Sequence, residues 1–270
     1  MKRHASFKAG LTLMWATIAA SGIALVCDAR EPWSDAGLAP PPGLAMWYDA
    51  TVIAAAREAA GLPAIAMGDR VEVWHDGSGN KRHVVNGDPE SQPTFGATDN
   101  RPSLRFDGRT QTLSDGPRDA TVRTWTLFVV AAPARVDGDF PGLICAHRRD
   151  QNDYQSGWNV DLGPEATDAL RQINVEGAGF SGAVNLLQGS RPLRSWRRVA
   201  VTARDASVEL SLDGVPQDSR SRELADASLQ YVEIGARYCG AFPGLRGYFA
   251  GEIAEILFFD RALNAEELAD

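Results

Sequence analysis

The apolar positions of this chain recur with a period of two far more often than with the period of a helix. From Ser207 to Asp213, Val208, Leu210 and Leu212 alternate with Ser207, Glu209 and Ser211, the pattern of a strand with one face on a core and one in water. Trp196 to Thr202 sets Val199 and Val201 on one face, so the two stretches predict a hairpin around Arg204-Asp205. Trp125 to Ala131 is apolar on both faces and predicts a central, covered strand. Trp158, Val160 and Leu162 alternate, as do Val71 and Val73, and Tyr248 to Asp260 is a further β-rich run. Between these stretches Asp-Gly occurs at 76–77, 107–108, 115–116, 137–138 and 213–214 and Asn-Gly at 86–87, pairs that tolerate positive φ and favour hairpins. Helical signals are confined to Ala50–Ala60 and to Asn264, an N-cap residue with Glu267 three positions on. Many short strands, glycine-rich turns and almost no helix predict an all-β sandwich or barrel closed by a short C-terminal helix.

The front of the chain follows another rule. Lys2, Arg3 and Lys8 precede an uncharged, mostly apolar run from Ala9 to Val26, and Cys27-Asp28-Ala29 has the small residues of a cleavage site. Residues 1–29 read as a signal peptide cut after Ala29. As a helix the run reaches ~27 Å, nearly a bilayer, so an uncleaved anchor is the alternative, with lipid attachment at Cys27 a third. Each places the rest in a secreted, periplasmic or envelope setting, with the membrane a partner only if the segment stays. Residues 30–43, with Pro40, Pro41 and Pro42 in a row, read as an extended tether, and 44–270 as one β domain.

Charge narrows the partners. Removing residues 1–29 leaves 24 basic and 34 acidic residues, a net charge of −10, which is repelled by phosphate backbones, so nucleic acid is not expected. No Cys-x-x-Cys-His is present to attach haem, and no zinc spacing occurs. Cys145 and Cys239 remain after cleavage. In an oxidising compartment they either pair or stay as two buried thiols; a Cys145–Cys239 disulfide is the expectation carried forward.

The run "GYFAGEIAEILFFDRALNAEEL" (Gly247–Leu268) resembles the closing signature of laminin G-like domains, jelly-roll sandwiches of the concanavalin A-like lectin and glucanase superfamily. "MWYDA" (Met46–Ala50), "WHDGSGNKRH" (Trp74–His83), "LRFDG" (Leu104–Gly108), "WRRVAVTARDASVELSLDG" (Trp196–Gly214) and "EIGAR" (Glu233–Arg237) resemble other pieces of that pattern in the same order. "NDYQSGWNVDLG" (Asn152–Gly163) and "NVEGAGFSGAVNLL" (Asn174–Leu187) resemble domains embedded in large exported bacterial proteins. The resemblance implies a two-sheet antiparallel jelly roll over residues 44–270 that binds glycans, binds proteins or hydrolyses glucans, and fold does not choose among these.

Retaining glycosidases hold two carboxylates about 5–5.5 Å apart. Glu252 and Glu255, three apart on one strand, are expected on opposite faces, which argues against a glucanase or lyase. Gly179-Phe180-Ser181-Gly182-Ala183 lacks the last glycine of a nucleophile elbow; His75 and His83 flank a predicted hairpin and could meet across it, but with His147 they read as exposed loop residues. Calcium, which the resemblance also suggests, would be held by Asp150, Asp153 and Asp161; Asp76, Ser78 and Asn80 are explained by a turn. A sugar would use exposed aromatics with polar neighbours: Tyr154, Asn152, Arg148 and Arg149 in one loop, Tyr238 in another, and Trp74, which alternates away from Val71 and Val73. Trp125, Trp158 and Trp196 are expected in the core. The reading is a non-catalytic carbohydrate-binding module whose site lies where loops 147–157, 176–183 and 238–247 meet, with an extracellular or envelope protein as the alternative partner.

Overall fold

In a computed structural model, residues 30–240 and 244–269 are described. Residues 1–29, read above as a signal peptide and including Cys27, and the tip of the 238–247 loop lie outside the described residues. Nine antiparallel strands form one sheet, with the order Val215–Ser221, Ser207–Leu212, Arg197–Ala203, Trp125–Asp137, Ala250–Phe259, Arg101–Asp107, Thr94–Thr98. Leu44–Asp49 also pairs with Ala250–Phe259, and Ala166–Thr167 with Trp125–Asp137. A seven-stranded sheet runs Asn174–Gly177, Trp158–Asp161, Gly142–His147, Tyr231–Ile234, Leu113–Ser114, Val84–Val85, Val73–Trp74.

The period-two pattern fixes which face meets which. Leu127, Val129 and Val201 of the larger sheet and Ile144, Val160 and Val175 of the smaller are buried in one shared core. Across it the Trp125 and Trp158 rings stack with centroids 4.9 Å apart, and Trp158 lies 5.2 Å from Phe258 and nearly parallel to it. Such offset stacking adds ~0.5–1.5 kcal/mol to what burial alone provides. The Arg197–Ala203/Ser207–Leu212 hairpin forms as expected, and Trp125–Asp137 is flanked on both sides.

The caps form as read. Asn264 Oδ1 accepts from the N–H groups of Glu266 and Glu267 at 2.9 and 3.0 Å, and Glu267 Oε2 accepts from Asn264 N–H at 2.9 Å, a reciprocal capping box. Ala50–Val52 and Ile53–Ala59 form the other helical stretch. Asp76 is fully buried and spends its oxygens on Trp47 N–H, Ser78 N–H, Ser78 Oγ and Arg82 N–H, each at 2.9 Å. The Asp76–Asn80 cluster is thus a turn.

Four expectations need correction. Trp74 is fully buried and packs 5.7 Å from Tyr48, because the chain bends at Glu72 and breaks the alternation that Val71 and Val73 suggested. Trp196 is half-buried at the surface, its Nε1 donating to Thr98 O at 3.3 Å with Arg101 over its ring. The histidines are not exposed: His75 and His147 are buried, and His75 and His83 meet at 5.0 Å. The proline-rich stretch turns back on the domain, with Glu31 N–H donating to Gly77 O at 3.1 Å and Trp33 edge-on to His75.

Candidate functional site

Alternation sends Cys145, Asn159, Asp161, Glu176 and Glu233 to the face of the seven-stranded sheet away from the core, yet all are buried. What covers Asn159, Asp161 and Glu176 is the segment 150–157, including a one-turn helix Asp153–Ser156, together with Arg237. Arg237 Nη2 and Nε donate to Asp153 Oδ1 and Oδ2 at 2.7 and 3.2 Å. Its Nη1 donates to Asp161 Oδ2 at 2.9 Å and Nη2 to Glu176 Oε2 at 3.2 Å. The remaining acceptor capacity is used locally. Asp153 accepts from Tyr238 N–H at 3.0 Å and from Asn159 Nδ2 at 3.2 Å, and Asp161 from Gly163 N–H and Asn174 Nδ2, both at 2.9 Å.

Three carboxylates around one guanidinium leave an excess of negative charge. Burial pushes Asp161 up to about 6, against the pull of Arg237 and the hydrogen bonds of Gly163 and Asn174. Burial alone would lower Arg237, but the hydrogen bond and charge of Asp153, with Asp161 and Glu176 behind it, hold it above its ordinary value.

The expected calcium set therefore does not assemble. Asp153 and Asp161 enclose a guanidinium rather than a metal ion, and Asp150 sits apart in a turn at φ 58°. Among the described residues no three His, Cys, Asp or Glu side chains are grouped to hold a metal. The expected disulfide is absent as well: Cys145 and Cys239 are both free thiols. Cys145 is sealed on the sheet, where burial raises its pKa, whereas Cys239 turns into a hollow lined by Asn152, Tyr154 and Arg246.

That hollow, about 400 Å³, joins the three expected loops, with Asn152 and Tyr154 from the first, Glu176 and Ala183 from the second, and Cys239 and Arg246 from the third. A second hollow, about 820 Å³, adjoins it and is lined by Tyr154, Gln155, Gly177–Ser181 and Ser221–Glu223. Tyr154 stands between them, half-buried, one side of its ring over Arg237 at 5.8 Å and its hydroxyl accepting from Asn152 Nδ2 at 2.7 Å. The 176–183 loop is fixed from beneath. Arg220 donates to Val175 O and Gly182 O at 3.1 and 2.7 Å, and the Phe180 ring lies near both Arg220 and Arg222. At Gly179, with φ +86°, a Cβ would stand 2.0 Å from Glu223 O, so only glycine fits.

The other predicted ligand residues go elsewhere. Tyr238 alternates with Arg237 and Cys239 and faces away from the hollow, stacked on His147 at 3.6 Å. His147 stacks in turn on Tyr231, whose hydroxyl accepts from Arg149 Nη2 at 2.7 Å. Arg148 is exposed, and its backbone N–H donates to Ser156 Oγ at 3.0 Å. Arg237 and Glu176 escaped the sequence reading, although a lone arginine beside Ile234 and Ala236 at a strand end signals an inward charge in need of partners.

The expected split of Glu252 and Glu255 also fails. The pairing of Ala250–Phe259 shifts register between Ile253 and Glu255, and this extra residue returns both glutamates to the face opposite buried Ile253 and Ile256. Glu252 accepts from Ser103 Oγ, Thr98 Oγ1 and Arg105 Nη2 at 2.8, 2.9 and 2.9 Å. Glu255 accepts from Trp47 Nε1 at 3.0 Å and lies directly across from Asp49. Burial, then the Asp49 charge, pushes Glu255 up to about 7. With its folded pKa above its unfolded value, the stability it contributes is complete below about pH 4.5 and is lost as pH rises through 7. Glu255→Gln keeps an acceptor for Trp47 and is expected to stabilise by ~1–3 kcal/mol at pH 8 and by almost nothing at pH 4. Urea unfolding at the two pH values measures this.

The laminin G model of the concanavalin A-like lectin/glucanases superfamily matches residues 107–269, which carry most of both sheets and the whole Tyr154 site. The chain belongs to this superfamily. No curated protein has a sequence that matches this chain. Among solved structures, domain 4 of AbnA, an extracellular arabinanase from Geobacillus stearothermophilus in complex with arabinotriose, is 12% identical with a TM-score of 0.52. The match covers 76% of this chain and 98% of that one. Sialidase from Trypanosoma rangeli is 16% identical with a TM-score of 0.51, covering 85% of this chain but 32% of the enzyme. The receptor-binding domain of botulinum neurotoxin type G is 13% identical with a TM-score of 0.50, covering 75% and 48%. At such identities the likeness is one of fold.

Proposed function

We propose that this laminin G-like domain is a non-catalytic module outside the cytoplasm that binds a neutral oligosaccharide across Tyr154. The observation that carries the reading is the place of Tyr154, an aromatic ring held between two adjoining hollows. An apolar ring face suits the C–H face of a sugar, and the side chains of Asn152, Gln155 and Arg246 around it suit the hydroxyls. The superfamily fold and the arabinotriose complex of a domain with that fold support it. Glu252 has its oxygens occupied by Ser103, Thr98 and Arg105, which favours binding over hydrolysis. The apolar run of residues 9–26 supports export, and among the described residues no helix is long and apolar enough to cross a membrane.

The test is calorimetric titration with a panel of neutral oligosaccharides that includes arabinotriose. Tyr154→Ala is expected to weaken binding about tenfold or more, ~1.4 kcal/mol or above, while Tyr154→Phe, which keeps the ring, loses much less. No binding by any sugar, or equal binding by Tyr154→Ala, overturns the reading. Capture of one envelope protein that depends on Tyr154 and resists sugar competition would replace it with the adhesion reading.

A further inference from the structure

The larger sheet carries a cleft of its own, about 710 Å³, which shares no lining residue with the two hollows at Tyr154 and is built on its exposed face. Its floor is Ala132, Ala134, Ala250 and Gly251, residues with no side chain beyond a methyl group. Arg105, Arg109, Arg135 and Arg194 stand around it, all exposed. In a chain of net charge −8 this is a local reversal of sign.

The two acids of the lining are already committed. Glu252 is held by Arg105, Ser103 and Thr98, and Asp107 accepts from the backbone N–H groups of Arg109, Thr110 and Gln111 at 2.8, 3.1 and 3.2 Å. Arg135 donates to Asp107 O at 2.7 Å and pairs with Asp137. The guanidinium groups of Arg109 and Arg194 have no hydrogen-bond or ion-pair partner among the described residues. Arg194 is nonetheless anchored at its backbone, which donates to Pro133 O at 2.7 Å with φ 58°. Two arginines whose guanidinium forks have no partner among the described residues thus line the same cleft as the small-residue floor.

We infer that this cleft is a second binding site, for an oligosaccharide that bears carboxylates. A guanidinium fork pairs with a carboxylate through two parallel hydrogen bonds, and the small-residue floor accepts the C–H face of a sugar ring. The field of an acidic chain opposes every extended polyanion, carboxylate or phosphate, so the ligand is a short oligosaccharide with few carboxylates rather than a phosphate polymer or an anionic lipid face.

Trigalacturonate and neutral galactotriose, titrated calorimetrically into the wild type, an Arg109→Ala/Arg194→Ala variant and Tyr154→Ala, test the inference. Trigalacturonate is expected to bind the wild type and Tyr154→Ala alike, to weaken with salt, and to lose about tenfold or more in affinity in the double-arginine variant. Both arginines are exposed, so that variant is expected to keep its fold, which its circular dichroism and thermal melt verify. Absence of trigalacturonate binding, equal binding by the double-arginine variant, equal affinity for galactotriose at this cleft, or loss through Tyr154→Ala instead overturns the inference. The last outcome and the neutral-sugar result at Tyr154 read out separately, so either site can fail alone.

Discussion

Arg237→Met is expected to destabilise the protein by ~3–5 kcal/mol, the cost of leaving buried carboxylates without their countercharge. Arg237 is the cation that Asp153, Asp161 and Glu176 share, and the two aspartates are completely buried. The loss carries a pH signature. Without the guanidinium the pKa of Asp161, already raised to about 6 by burial, rises further. A raised carboxyl contributes stability that is complete below its unfolded pKa and is lost as pH climbs through the folded one, so the variant should fall further behind the wild type at pH 8 than at pH 5. Urea unfolding at both pH values measures it. A loss under about 1 kcal/mol that does not depend on pH would mean that the aspartates are solvated and that the network does not hold the 150–157 segment.

Trp158→Ala is expected to cost a similar ~3–5 kcal/mol through the cavity it opens in the core. Its ring is stacked on Trp125 and on Phe258, from the opposite sheet, and no part of it reaches solvent. Trp158→Phe preserves an aromatic contact and should lose clearly less. Trp158 also begins the strand that follows the Asp153–Ser156 turn of helix. Thermal melts of the two variants give the ranking, and near-equal losses would show that the stack is worth no more than its neighbours.

The fold was legible because most of its strands obey alternation. Val208, Leu210 and Leu212 announce their face without any knowledge of the partner sheet, and the 264–267 cap needs only local hydrogen bonds. Reading failed where one residue broke the period. A bend at Glu72 turned Trp74 inward, and a bulge at Ile253–Glu255 put two glutamates on one face. The loops of the site were legible as clusters of polar and aromatic residues, but the use of each side chain was not. Asp153 and Asp161 look like metal ligands until Arg237, 76 residues beyond Asp161, is brought against them. Tyr238 and Tyr154 look alike in sequence, and only the pairing of Arg237 with Arg246 and of Tyr238 with Leu245 shows that Tyr238 faces the other way.

The most direct test is a two-dimensional amide spectrum of isotope-labelled protein titrated with whichever neutral oligosaccharide binds most tightly. The account predicts shifts confined to Asn152–Gly157, Gly177–Ser181 and the amides beside Cys239 and Arg246, with the rest of both sheets unmoved. Shifts centred instead on the exposed face of the nine-stranded sheet, or spread over the molecule without a focus at Tyr154, would contradict it.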